Sequence, residues 1–280
     1  MGVFKSVYIK TILEKFDKNH NMNKIDYSEI TETPGLKATQ EQITRLYHRY
    51  HFARQFAKEK DVLEVACGSG IGLGYLAQVA NKVVGGDIDE KNVTLAQRIH
   101  KYKQNVSVKL LDAHDLPFDS ESFDVILLYE AIYYLKSPDK FISEAKRVLK
   151  KGGHLIICTV NKDWKDFHPS PYTYKYFSVP ELYRLLQEGG FVVKNIYGAF
   201  PIEKGFKSQI ISIIKRMAVK FDLIPGSLAA RAYLKRIFMG ELKPLPEEVY
   251  EGMAPYEEPT ILNPKEINRE FKIIYAVGKK

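Results

Sequence analysis

The middle of the chain is organised by one pattern: short apolar, β-branched runs alternate with amphipathic stretches of helical length. From Asp61 onward the runs at 61–66 (DVLEVA), 82–87 (KVVGGD), 106–111 (VSVKLL), 123–129 (FDVILLY), 153–160 (GHLIICTV) and 191–199 (FVVKNIYGA) read as strands, with a last one at 270–277 (EFKIIYAV). Helices fit at 71–80, 90–102, 138–149 and 179–188. Strands that are apolar nearly throughout must be covered on both faces, so the pattern requires an α/β core around a largely parallel sheet. Local punctuation agrees. Ser137-Pro138 and Ser178-Val-Pro-Glu place a cap and an early proline at helix starts, while Gly152-Gly153 and Gly189-Gly190 stand where helix C-caps belong.

Composition narrows the function classes. Among 280 residues, 45% are hydrophobic, enough for a full core, and no run reaches the roughly 20 apolar residues of a membrane span. The lysine-bearing N-terminus lacks the apolar stretch of a secretory signal, so a cytoplasmic protein is expected. Cys67 and Cys158 are too few for a disulfide framework or a zinc cluster, and no metal site is expected. The net charge of +8 invites a polyanion-binding reading, but residues 61–199 carry 17 basic and 17 acidic groups, whereas 1–60 and 200–280 carry +4 each. A neutral core with basic flanks argues against nucleic acid as the ligand of the core.

In an open α/β sheet the ligand lies beyond the carboxyl ends of the strands. The first strand runs into Glu64-Val65-Ala66-Cys67-Gly68-Ser69-Gly70, where Gly68 and Gly70 permit a tight turn and close backbone approach. Leu73 occupies the third glycine position of the dinucleotide fingerprint, which counts against a nicotinamide or flavin enzyme. The second strand ends at Asp87, placed to meet ribose hydroxyls. Together these features point to an adenosine-containing ligand.

The strings VLEVACGSG, VVGGDID, LLDAHDLPFDSESFDVILLYEAIYYL and RVLKKGGHLII, in that order, resemble the class I S-adenosylmethionine-dependent methyltransferases, especially the branch with ubiquinone, menaquinone, sugar and natural-product methyltransferases. The resemblance covers about residues 60–200. It implies a Rossmann-like, seven-stranded, mostly parallel sheet with an antiparallel last strand, helices on both faces and S-adenosylmethionine as cofactor. It further implies that Glu64, Ala66, Gly68 and Gly70 surround the methionine moiety and that Asp87 holds the ribose. Ile88 is then expected to pack on adenine, Asp112 and Ala113 to meet its edge, and Tyr129 with Glu130 to line the floor. Ala66 departs from the glycine usual in the family.

Methyl transfer from a sulfonium needs alignment of donor and acceptor, and a base where the acceptor is a hydroxyl or carbon acid. Candidate bases are His48 and His51 in the helix spanning 39–59, His168 in the loop after the fifth strand, and Tyr133 or Tyr134 after the fourth. Tyr47 and Tyr50 on the same N-terminal helix are expected lid contacts, because in related enzymes such a helix closes over the cofactor. The aromatic loop 161–178 is expected to shape an acceptor pocket.

The expected organisation is an N-terminal arm or lid (1–60), a cofactor-binding core (61–199), a helical insertion capping the acceptor (200–269) and a last core strand (270–280). Within the insertion, 205–240 carries a net +6 and 241–270 a net −5. The basic amphipathic stretch at 206–240 therefore suits an anionic acceptor, a peripheral membrane contact or simple packing on the core. The favoured function is methylation of a small-molecule or lipid-linked acceptor, with a sugar, glycan or natural-product hydroxyl first and quinone-type C-methylation second. A nucleic-acid methyltransferase is disfavoured: the segment after the fourth strand lacks the Asn/Asp-Pro-Pro-aromatic tetrad of enzymes that methylate exocyclic base nitrogens. A non-catalytic cofactor-binding scaffold is the remaining alternative.

Overall fold

The computed structural model describes residues 31–170, 173–202 and 242–280. The inserted helical stretches expected within 206–240 therefore lie outside the described residues, as do 1–30. A helix α1 (Gln40–Ala57) leads into alternating elements: β2 (Asp61–Val65), α2 (Leu73–Ala77), β3 (Lys82–Asp87), α3 (Glu90–His100), β4 (Val106–Leu110), β5 (Phe123–Tyr129), α4 (Pro138–Val148), β6 (Leu149–Val160), α5 (Val179–Glu188), β7 (Val192–Pro201) and β10 (Phe271–Lys279). Three short strands complete the set: β1 (Lys37–Ala38), β8 (Lys243–Pro244) and β9 (Thr260–Leu262).

The sheet order is β4-β3-β2-β5-β6-β10-β7-β9. Strands β4, β3, β2, β5 and β6 are parallel, and β10 runs antiparallel between β6 and β7. The seven long strands are those the sequence predicts; the eighth, β9, is a three-residue antiparallel edge on β7. The two-residue period sorts side chains onto two faces. Val62, Val125, Leu127, Ile156, Cys158 and Tyr275 join α1, α2 and α3 in one core layer. Their neighbours Leu63, Ile126, Leu128, Leu155, Ile157 and Ile274 join α4 and α5 in the other. The result is a three-layer doubly wound fold.

Helix starts follow their caps. Thr39 and Ser178 each form a reciprocal capping box, with Gln42 and Glu181 respectively. Ser137 sits at the N-cap of α4 ahead of Pro138, but its side chain makes no capping bond. Gly189 and Gly190 end α5 as expected, with Gly190 at φ +78°. Gly152-Gly153 does not cap a helix: α4 stops at Val148 and passes directly into β6, where Gly152 takes φ +78° within the strand. A side chain at Gly153 would press within 2.8 Å of the Asp124 carbonyl oxygen, so the glycine is needed for strand approach. Helix α2 is five residues long, shorter than 71–80, as its glycine-rich entry disfavours helix.

Within the second half of the insertion, the chain returns against α1. β8 pairs with β1 just ahead of that helix, and the Val249 N–H donates to the Ile71 carbonyl. Glu251 then accepts from the Tyr47 and Tyr75 hydroxyls at 2.7 Å and pairs with Arg54. The acidic half of the insertion thus meets basic and phenolic groups of the core. Among the described residues no helix is long and apolar enough to cross a membrane.

Candidate active site

A cavity of about 400 Å³ opens beyond the C-terminal ends of β2, β3 and β5, roofed by α1 and the segment leading into it. Glu64, Ala66, Gly68, Asp87, Ile88, Asp112, Ala113, Tyr129 and Tyr133, all expected from sequence, lie in its wall. Three strands end side by side there because β2 lies between β3 and β5.

The turn after β2 is held by its neighbour strand. Asp87, buried at the end of β3, accepts the Gly68 N–H through Oδ2 at 2.8 Å and the Asp89 N–H through Oδ1 at 2.9 Å. Burial raises the Asp87 carboxyl above its ordinary range despite these bonds. Gly68 stands at φ +56°, and an added Cβ would fall 2.6 Å from the Thr31 methyl. Ala66 adopts φ +57°, the left-handed conformation natural to the glycine it replaces. Gly70 does not line the cavity; it supports the turn from beneath, its carbonyl accepting from His100 Nε2 at 2.8 Å.

Glu64 lies fully buried, its Oε1 accepting the Tyr50 hydroxyl at 2.6 Å. Burial pushes its carboxyl up to about 7, against the pull of the Tyr50 hydrogen bond and Arg49. Across the cavity Glu130, only partly buried, is also raised by desolvation, and its Oε2 accepts the Tyr133 hydroxyl at 2.9 Å. Asp112 is different: although partial burial works the other way, the His114 N–H (2.8 Å) and ring Nδ1 (2.7 Å) hold it below the ordinary range.

The roof corrects several expectations. Helix α1 turns Gln42, Arg45, Arg49 and Tyr50 toward the cavity, a spacing of one helical face. Tyr47, His48 and His51 occupy the opposite side and do not line it. His48 is a buried structural residue, with Nδ1 2.8 Å from the Tyr275 hydroxyl and Nε2 2.8 Å from the Glu257 carbonyl, and burial lowers its pKa. His51 Nδ1 lies 3.0 Å from the hydroxyls of Tyr47 and Tyr75, and Tyr47 is spent on Glu251. His168 is exposed on its loop, away from the cavity wall. That loop buttresses the site from behind: the Tyr174 N–H donates to the Tyr133 carbonyl and the Tyr176 ring stands 4.9 Å from that of Tyr133. Its described residues contribute nothing to the cavity wall. Tyr133 remains at the site, but burial and Glu130 push its hydroxyl far above neutral, making it a donor and not a base.

Sequence reading missed Thr31, Glu32, Gln42, Arg45 and Arg49. Glu32 pairs with the buried Arg49, and the Glu32 carbonyl accepts the Ser69 hydroxyl at 2.7 Å, which ties the entering segment to the glycine turn. Burial opposes charge on Arg49, yet Glu32 keeps its guanidinium firmly protonated. The 42/45/49 spacing was the available signal.

A doubly wound sheet with an acid-anchored glycine turn under such a cavity defines a protein built for an adenosyl ligand. Comparison with known proteins names the family. Residues 63–157 match the model of a methyltransferase domain. A probable S-adenosylmethionine-dependent methyltransferase of Mycolicibacterium smegmatis is 33% identical over 50% of this chain and 55% of its own. An uncharacterized protein of Methanocaldococcus jannaschii is 33% identical over 48% and 67%, and a demethylmenaquinone methyltransferase of Tropheryma whipplei 31% identical over 45% and 53%. The chain thus spans about half to two thirds of the length of these relatives. In fold it is similar to the YcgJ protein from Bacillus subtilis, with TM-score 0.54 and 18% identity over 83% of this chain and 98% of that one. Residues 63–157 thus form a methyltransferase domain, and the chain is similar to S-adenosylmethionine-dependent methyltransferases.

The residues fit that cofactor. Four buried polar atoms of cavity-lining residues have no hydrogen-bond partner: Glu64 Oε2, Tyr129 Oη, Arg45 Nε and Arg49 Nε. Buried polar groups left unpaired are costly, and a zwitterionic ligand answers both signs. Ile88 is 56% exposed within the cavity wall, an apolar surface for a flat base. Glu64, Gly68, Asp87, Ile88 and Asp112 are the residues that would hold the cofactor, which supplies an electrophilic methyl group when bound.

Proposed function

We propose that this protein transfers the methyl group of S-adenosylmethionine to a hydroxyl of a small-molecule or lipid-linked acceptor, a sugar, glycan or natural-product-like compound. The observation that carries the reading is the cavity itself, in which the acid-rich wall of Glu64, Asp87, Asp112 and Glu130 suits a cationic donor. Alignment is the main task of such a site: holding donor and acceptor in line removes most of the entropic barrier, and one group must receive the acceptor proton. A second reading is quinone-type C-methylation, favoured by the similarity to demethylmenaquinone methyltransferase. A cytoplasmic location and a peripheral membrane contact through 206–240, for a lipid-linked acceptor, belong to the same proposal.

Calorimetry with S-adenosylhomocysteine tests the cofactor assignment. Wild-type protein is expected to bind it, and Asp87→Ala to lose at least about tenfold in affinity, since it loses both the ribose contact and the anchor of the Gly68 turn. Unchanged affinity in that variant would remove Asp87 from the site. Retention on RNA with a steep salt dependence would reopen the nucleic-acid alternative.

A further inference from the structure

We infer that Glu130 is the general base that takes the proton from the acceptor, with Tyr133 as its positioning residue. The inference rests on reading the cavity as a methyl-transfer site, and it names a group which that reading leaves unassigned.

Geometry singles out Glu130 among the cavity acids. Glu32 is committed to Arg49, Glu64 to the Tyr50 hydroxyl, Asp87 to two N–H groups of the glycine turn and its own loop, and Asp112 to His114. His114 is engaged on both nitrogens, with Asp112 at 2.7 Å and the Ser137 N–H at 3.3 Å. The three histidines named from sequence lie away from the cavity wall. Glu130 has one oxygen fixed by Tyr133 at 2.9 Å, while its Oε1 has only the Cys158 thiol, 4.0 Å away. A carboxylate held by one oxygen and open at the other is the arrangement a proton acceptor needs. Glu64 shares it through its unpartnered Oε2, but Glu64 is sealed at 1% exposure among the residues that would hold the cofactor, whereas Glu130 is partly exposed.

The backbone points the same way. Glu130 stands at φ +50°, immediately after β5, with its N–H bonded to the Cys158 carbonyl at 2.8 Å. A glutamate in the left-handed region carries strain that most sequences avoid, and such strain gathers at working sites. The turn directs the chain out of the sheet at the carboxyl edge, where the cavity begins. Five influences set the charge state of Glu130: burial and Glu32 favour its neutral form, while Arg49, the Tyr133 hydrogen bond and Arg45 favour its anion. The net balance lies above the ordinary carboxylate range, closer to a working base at neutral pH.

The step balances without a further reagent. The acceptor O–H bond breaks and its proton passes to Glu130 Oε1; the freed oxygen pair forms the new O–CH₃ bond. The electrons of the S–CH₃ bond return to sulfur, converting sulfonium to neutral thioether. Glu130 then releases its proton to solvent.

Two measurements test this. The first uses octyl β-D-glucopyranoside as a hydroxyl-bearing probe and a tritium-labelled methyl donor, with S-adenosylhomocysteine affinity measured beside it. Glu130→Gln is expected to lower kcat/KM for the probe about a hundredfold or more, while affinity for S-adenosylhomocysteine changes less than about threefold; Glu130→Asp should restore part of the rate. Transfer by Glu130→Gln within about threefold of wild type overturns the inference, and so does a parallel loss of S-adenosylhomocysteine affinity, which would make Glu130 a cofactor-holding group. The second measurement needs no acceptor: ¹³C NMR titration of the Glu130 carboxyl. An elevated midpoint that rises further in Tyr133→Phe supports the inference, because the variant loses a donor that favours the anion. An ordinary midpoint, unmoved in that variant, overturns it. Failure of wild-type protein to bind S-adenosylhomocysteine is the separate result that defeats the wider reading.

Discussion

Two residues at the end of β2 show how a site imposes conditions on single side chains. Ala66 holds φ +57° with a Cβ, where a glycine would do so freely. Ala66→Gly is therefore expected to raise stability by about 1 kcal/mol, the usual scale for relieving one left-handed residue, measured by urea denaturation. Glu64 gives a pH prediction. Its carboxyl ionises near 4.5 in the unfolded chain and at about 7 in the fold, so between these values the folded state holds the extra proton. Stability linked to Glu64 is thus present below about pH 4.5 and lost as pH rises through about 7, with a total on the order of 3 kcal/mol. Thermal melts of ligand-free protein between pH 5 and 8 should fall with pH, and Glu64→Gln should flatten most of that fall. A wild-type slope retained in Glu64→Gln would mean that Asp87 and Glu130, also raised, dominate.

At the scale of elements, the strands were legible and the rotation of α1 was not. Strands β2, β3, β5 and β6 are covered on both faces, so their apolar runs are continuous and unmistakable, and the residues just past them reach the site whatever the details of packing. This is why Glu64, Asp87, Ile88 and Tyr129 could be named from sequence, whereas Asp112, past the edge strand β4, rested on the family resemblance alone. Helix α1 is sandwiched between the sheet, the returning chain and the cavity, and all its sides carry Tyr, His or Arg. With no polar face to mark solvent, sequence alone could not separate Arg45 and Arg49, which face the ligand side, from Tyr47 and His48, which face the core. The start of the helix was clearer. Thr39 and Gln42 satisfy two backbone donors reciprocally, and Thr39→Ala should cost about 1 kcal/mol by chemical denaturation while leaving the end of α1 at Ala57 intact.

At the scale of the whole molecule, the charge asymmetry gains a partial explanation. The acidic half of the insertion meets Arg54 through Glu251 and Lys103 through Glu248, so its negative charge is answered by the roof helix and the core. Glu251 ties Tyr47, Tyr75 and Arg54 together, and its removal should loosen the roof from its outer side. Glu251→Ala is expected to speed amide hydrogen exchange across α1 with little change in the exchange of β2 and β5; equal protection in both proteins would show that the β1–β8 pairing alone holds the roof.

The position of β10 bears on the order in which the molecule is made. It lies between β6 and β7, and among the described residues β7 is flanked in the main sheet by β10 and the short β9. During synthesis β7 leaves the ribosome well before Phe271–Lys279, so it can pair at most with the three-residue β9 and has no link to β6 until the last strand emerges. Until then β7 and α5 belong to a nascent half-sheet with an open edge after β6, a window in which the growing chain is exposed to mispairing and to chaperone capture.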